Sequence, residues 1–258
     1  MARGIQSIEV GGQLLLALAH SGVPMALKDL ARDAGMSPAK AHPYLVSFGK
    51  LALVEQDTIS GRYGLGSLAL QLGLIGLQQV DPVRLATPVI DELAAALGHT
   101  VAIAVWGDRG ATIVRLAESP AAVHVNMRHG TVLSLRGTAS GRLFAAFRDR
   151  KAVQAALAAE ARAERRPARE AKIDAALDAE LARVRKQRIA IVIDGAVPGV
   201  SAAAAPVFDA RGQVVLSLTA IGPNALFDTR TDGVVARALR SACDALSARL
   251  GSPAVKPR

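Results

Sequence analysis

The stretch from Leu27 to Tyr63 constrains this chain more than any other, because it sets a short helix, a tight turn, a second helix and a hairpin in immediate succession. Leu27, Leu30 and Ala31 recur at helical spacing, and Gly35 can take the positive φ that ends a helix. Ser37-Pro38 then offers a side-chain cap followed by proline at the first helical position. The second helix is predicted to run to about Phe48. Val54 to Gln56 and Arg62 to Leu65 read as two short strands around Asp57-Thr58-Ile59-Ser60-Gly61, a loop of turn-forming residues. That order is a winged helix-turn-helix, whose second helix can enter a DNA major groove with its N-terminal residues toward the base edges. A helical turn of this kind also serves as plain scaffold, so the rest of the chain has to discriminate.

Upstream, Ser7 to His20 is predicted as a helix that packs beneath the other two, with Ile8, Leu14, Leu15 and Leu18 on one face. Downstream, Ser67 to Gln79 is apolar almost all round, which a helix left in water does not sustain; it needs a cover, and Leu70, Leu74 and Leu77 are its main apolar contributors. Asp81-Pro82 caps a further helix to Leu97, ended by Gly98. From Thr100 the period changes. Val101 to Trp106 and Ala111 to Ala117 flank a hairpin turn at Gly107-Asp108-Arg109-Gly110, and Val123 to Met127 and Thr131 to Leu135 flank another at Arg128-His129-Gly130. Helical pattern returns at Ser140 to Phe147, Ala152 to Ala161 and Ile173 to Gln187. Strands follow at Ile189 to Asp194, Ser201 to Phe208 and Gln213 to Ile221, and then a last helix near Asp232 to Leu250. This is an α+β chain with an antiparallel sheet, divided as a DNA-binding domain over 1–66, a linker helix over 67–80 and a second domain over 81–258.

Composition narrows the function. A hydrophobic fraction of 51% over 258 residues supplies real cores. No apolar run reaches the roughly 18 residues that span a bilayer, and no signal peptide opens the chain, so no membrane partner is expected. With Cys243 as the single cysteine no intrachain disulfide forms, which fits a reducing cytoplasm. The net charge of +9 does not sit on the winged motif: residues 1–66 carry a net of +1, while 142–190 carry +6 on what read as solvated helix faces. Aromatics are 3% of the chain, too few to stack the bases of a single strand, whereas duplex reading needs no rings.

The segments LKDLARDAGMSPAKAHPYLVSF, GRYGLG, LRGTASGRLFAAF and PGVSAAAAPVFDARGQVVLSLTAIGP occur in this order along the chain. With them the chain resembles the isocitrate-lyase-regulator (IclR) family of bacterial transcription factors over nearly its full length. The resemblance implies a winged helix-turn-helix joined by a linker helix to an effector-binding domain of GAF-like fold, in homodimers often paired again into homotetramers. On the DNA side it points to Ser37, Lys40, His42 and Tyr44 in the reading helix, with Arg62 at the wing. Where the family favours Arg, this chain has Pro43, six residues past the Ser37 cap. An interior proline costs about 3 kcal/mol and is predicted to kink or shorten the helix, leaving the Ala39 carbonyl without its donor.

On the effector side the resemblance points to Thr138, Ala139, Ser140 and Gly141, and further to Asp194, Ala202, Thr219 and Ile221. The first four read physically as an anion site, with free amides at a helix N-terminus, a hydroxyl and no bulky side chain; an ordinary helix cap explains the same residues. The small or apolar Ala202 and Ile221 favour a small aromatic or hydrophobic organic acid.

Three function classes follow. The first is a ligand-responsive regulator of double-stranded DNA, and the second a small-molecule-binding protein whose reading helix has decayed at Pro43. The third is a serine-dependent hydrolase, disfavoured because Gly137-Thr138-Ala139-Ser140-Gly141 sets its Ser one place late for a nucleophile elbow, and His99, His124 and His129 have no evident pairing with it. No ligand spacing for a metal and no nucleotide-binding fingerprint occur, so no catalytic residue, metal or cofactor is expected.

Overall fold

The computed structural model describes residues 4–118 and 128–252, without the side chains of Leu77, Ala168 and Arg169. The chain forms two compact units that meet in sequence at Val80 and Asp81.

In the first unit, α1 (Gln6–Ser21), α2 (Leu27–Asp33) and α3 (Pro38–Lys50) precede β1 (Val54–Gln56), β2 (Tyr63–Leu65) and α4 (Ser67–Gln79). Leu14 and Leu18 of α1, Leu30 of α2 and Leu45 of α3 are buried together with Val54 and Tyr63. The turn between α2 and α3 closes through Gly35, at φ 68°, and a bond from the Met36 amide to the Ala31 carbonyl at 2.9 Å. In the wing, the Asp57 carboxylate accepts from the Ser60 amide at 2.6 Å and the Ser60 hydroxyl at 2.7 Å, which locks the loop between β1 and β2.

The predicted shortening of α3 at Pro43 does not occur. The helix runs without a break from Pro38 to Lys50, because the proline removes the donor of a single carbonyl, that of exposed Ala39, which water can serve. Burial of Ala41 and Leu45 and the Ser37 cap hold the rest. Helix α5 (Pro82–Leu97) carries Pro88 in its interior and is likewise continuous, with Ala86, Ile90, Leu93 and Ala94 buried.

The second unit is built on a five-stranded antiparallel sheet of order β4-β3-β7-β6-β5. Its strands are β3 (Thr100–Gly107), β4 (Gly110–Ala117), β5 (Ala190–Ile193), β6 (Val200–Phe208) and β7 (Val214–Pro223). One face, with Ile103, Leu216, Leu218 and Val207, is covered by α5 and α9 (Val234–Arg249). On the other face Ala104 and Ala204 pack under α6 (Ala139–Phe147), whose far side meets α7 (Arg150–Ala163) and α8 (Ala175–Gln187). The chain is therefore α+β, with helices on both sides of the sheet.

Residues 131–135, predicted as a hairpin strand, follow the edge of β4 without becoming one. The Leu133 amide donates to the Ala111 carbonyl at 2.7 Å, and a single bridge joins Thr112 to Val132. Ser134 then ends the extension: its hydroxyl accepts from the Gly137 amide at 3.0 Å and its carbonyl from the Thr138 hydroxyl at 2.8 Å, turning the chain into α6. The predicted partner strand, Val123 to Met127, lies outside the described residues, as does His124.

Candidate DNA-reading face and ligand cavity

The exposed side of α3 begins at its cap. Ser37 accepts from the Lys40 amide at 3.3 Å, and Ser37, Lys40, His42 and Pro43 are all exposed. Tyr44 is placed differently: it is half-buried against the first unit's core, and a Cβ at Gly11 of α1 would lie 2.8 Å from its Cδ1. Its ring thus packs α3 on α1. Arg62, at the foot of the wing, is exposed and donates to the Pro24 carbonyl at 3.2 Å. Arg32 on α2 is engaged by Asp29 at 2.9 Å and Asp33 at 3.1 Å, so Lys40 is the cation that α3 itself holds out near its start. At the wing tip Ile59 stands 95% exposed, an apolar contact point that charge and motif reading did not single out.

In the second unit, a cavity of about 80 Å³ opens between the sheet and the N-terminus of α6. Thr138, Ala139, Ser140, Ala202, Thr219 and Ile221 line it, six of the eight residues named from sequence. Strand register explains the grouping: Thr219 pairs with Ala102 on one side and Ala204 on the other, and Ile221 with Ala202. A bulge in β4 at Val114 sets Ile113 opposite Ala104 and so turns Ile113 to the cavity face. The Ser140 and Thr219 hydroxyls, both buried, lie 2.7 Å apart. Thr138 caps α6, its hydroxyl accepting from the Gly141 amide at 3.0 Å. The amides of Ala139 and Ser140, in the first turn, have no carbonyl one turn back to bond. Among the described residues no lining residue is ionisable, so this wall is apolar apart from these hydroxyls and the positive end of the helix.

The two remaining residues stand behind or beside the cavity. Gly141 lets α6 approach the preceding turn, since a Cβ there would sit 2.1 Å from the Ser134 carbonyl oxygen. Asp194 lies outside the lining and spends one carboxylate oxygen on the Gly199 amide at 2.6 Å and on Asn224 Nδ2 at 2.8 Å. Sequence reasoning missed Ala102, Ile113 and the loop residues Gly195 to Val197, which also line the cavity. Ala102 is found only once the β3–β7 register is known. Among the described residues no cluster of His, Cys, Asp and Glu could hold a metal, and no helix is long and apolar enough to cross a membrane.

Residues 76–248 match the family described as "Bacterial transcriptional regulator IclR C-terminal", and residues 7–58 the "IclR helix-turn-helix domain". The chain is 31% identical over 217 residues to the glycerol operon regulatory protein of Streptomyces coelicolor, covering 83% of this chain and 84% of that one. It is 25% identical to the HTH-type transcriptional regulator XynR of Escherichia coli over 250 residues, 97% of this chain and 99% of the relative. The crystal structure of Pseudomonas aeruginosa HmgR superposes with a TM-score of 0.88 at 35% identity, over 97% of this chain and all of the other. These curated relatives are regulators and not enzymes, which removes the hydrolase reading of Ser140.

Proposed function

The chain belongs to the IclR family of bacterial transcriptional regulators, and from that premise we propose that a small monocarboxylic acid with an apolar body is the signal its second unit binds. One observation carries the proposal: the polar groups that line the cavity are the first turn of α6 and the Ser140–Thr219 hydroxyl pair, with no ionisable side chain among the described residues. The helix end supplies roughly half a positive charge and free amides, enough for one carboxylate and too little for two. The aliphatic remainder of the wall takes the apolar body. On the DNA side, Ser37, Lys40 and His42 of α3 would face the major groove and Arg62 the adjoining backbone, with Tyr44 bracing the helix from behind. The unbroken α3 supports this over a decayed reading helix. The exposed apolar side chains of α4, such as Leu70, Leu72 and Leu74, support pairing with a second copy, which would present two reading helices to a two-fold related site.

The test is a thermal-shift and calorimetric series from propionate to benzoate, with benzyl alcohol and phthalate as the uncharged and doubly charged comparisons. Monocarboxylates should raise the midpoint of the native protein and fail on Ser140→Asp, where a fixed negative charge meets the ligand. Equal binding of benzyl alcohol and benzoate would remove the helix end from the recognition.

A further inference from the structure

One wall of the cavity belongs to neither helix nor strand. Between β5 and β6 the chain passes through residues 194–199, and Gly195, Ala196 and Val197 line the cavity, although Val197 is 46% exposed to solvent. This loop crosses to the opposite side of the cavity. The Ala196 amide donates at 3.0 Å to the carbonyl of Gly137, the residue before the cap of α6. Gly195 lies closer still: a Cβ there would sit 2.2 Å from the Gly137 oxygen and 2.3 Å from Val192 Cγ1.

The root of the loop is tied by side chains that never enter the cavity. Asp194, in the left-handed region at φ 51°, accepts from the Gly199 amide and from Asn224 Nδ2, thereby joining the loop's two ends to the end of β7. Asn224 completes the tie. Its Oδ1 accepts from the Ser201 hydroxyl at 2.6 Å, and its amide donates to the Gly199 carbonyl at 3.0 Å. The left-handed turn at Asp194 and the short approach at Gly195 belong to the seated conformation that these bonds hold.

We propose that residues 195–199 are the gate of the cavity and that Asp194 and Asn224 are positioning residues that latch it shut. The proposal rests on reading the cavity as the ligand site, and it assigns Asp194 to the gate in place of contact with the ligand. Because Asp194 is exposed, water competes for its bonds, so the latch opens at small cost. The seated loop and the first turn of α6 line the same cavity and are joined by the Ala196–Gly137 bond. A ligand on that turn therefore favours the closed gate.

The experiment needs no knowledge of the ligand. In the full chain, Ser140→Cys sets a thiol in the cavity, and its rate of modification by methyl methanethiosulfonate reads the gate. Native Cys243, 1% exposed in the core on the opposite face of the sheet, reads global unfolding in the same sample. Adding Asn224→Ala or Asp194→Ala should speed modification of the cavity thiol about tenfold, the scale of one lost hydrogen bond, with Cys243 unreactive. Asn224→Asp should open the gate at neutral pH by placing two carboxylates together. Acid should close it again as one takes up a proton, each rate being taken relative to Asn224 at the same pH. An unchanged cavity rate in these variants, or a rise matched at Cys243, overturns the proposal. Should the gate respond while no monocarboxylate shifts the midpoint, the latch stands and the ligand reading falls.

Discussion

The two units spend their apolar residues in opposite ways. The second buries them on both faces of a sheet, so that Phe144 of α6 and Leu216 of β7 are sealed within one unit. The first buries a small cluster between three short helices and a wing, and leaves Ile8 and Leu16 of α1 and Leu70, Leu72 and Leu74 of α4 exposed. A unit of this size with that much uncovered apolar surface gains from another surface, whereas the exposed apolar residues described in the second unit, such as Leu226 and Val234, lie apart from its two large buried clusters. The helices α4 and α6 make the point most directly: both are mostly apolar, and they differ in whether their own unit covers them.

The contrast can be broken from either side. The largest effect of a single substitution is expected for Phe144→Ala, which empties a fully buried ring site and should cost about 3–5 kcal/mol in denaturant unfolding of the second unit. This loss should not depend on protein concentration. Leu70→Lys combined with Leu74→Lys should act through association alone. It should give a monomeric mass and remove about 1.5–3 kcal/mol for each side chain that pairing would bury. A native midpoint that does not move with concentration would show the first unit to be self-sufficient after all.

Smaller effects sharpen the picture. Pro43→Ala should stabilise the first unit by about 1 kcal/mol and not the 3 kcal/mol of a helix centre, because only the Ala39 carbonyl regains a donor. Thermal midpoints of the pair measure it. In the second unit, His99 is stacked on Phe227 at 4.9 Å with Gly222 against Nδ1, and burial lowers its pKa below the ordinary value. The unfolded chain therefore binds this proton more readily. The neutral form's stability is fully present above about pH 6.5 and is lost as pH falls from there toward the folded pKa. Denaturant titrations from pH 7 to pH 5 should show that slope in the native chain and a shallower one in His99→Phe.

Much of this architecture is legible in the sequence where a residue's neighbours along the chain decide its state. Helix α4 falls at Ser67–Gln79 as its nearly all-round apolar pattern predicts, and the β3–β4 turn falls on Asp108 and Arg109 between two glycines. Segments 131–135 escaped because their alternation is that of a strand, while Ser134 bonds forward to Gly137 and bends the chain away. The lining residues taken from the family resemblance gather in one place, but Asn224, Ser201 and Asp194 are linked across 23 and 30 residues by side-chain bonds that no local period encodes. The tolerance of α3 for Pro43 was hidden for a related reason. Helix propensity counts the lost bond, and only the packed structure shows that Ala41 and Leu45 hold the helix regardless.

The sheet beneath α6 is paved with short side chains. Ala102, Ala104, Ala204, Ser217 and Thr219 stand side by side across β3, β7 and β6, each almost wholly out of water. None of them reaches far enough to determine the strand pairing, which the backbone and the opposite face secure. Of these, Ala102 and Thr219 also line the cavity, so the floor of the proposed ligand site is made of residues that contribute little to the strand pairing. At these two positions a longer side chain would raise the cavity floor by a methyl group or two, and a methyl in place of the Thr219 hydroxyl would dry it. The shape of the proposed site is therefore open to change at Ala102 and Thr219 while the strand register stays as it is.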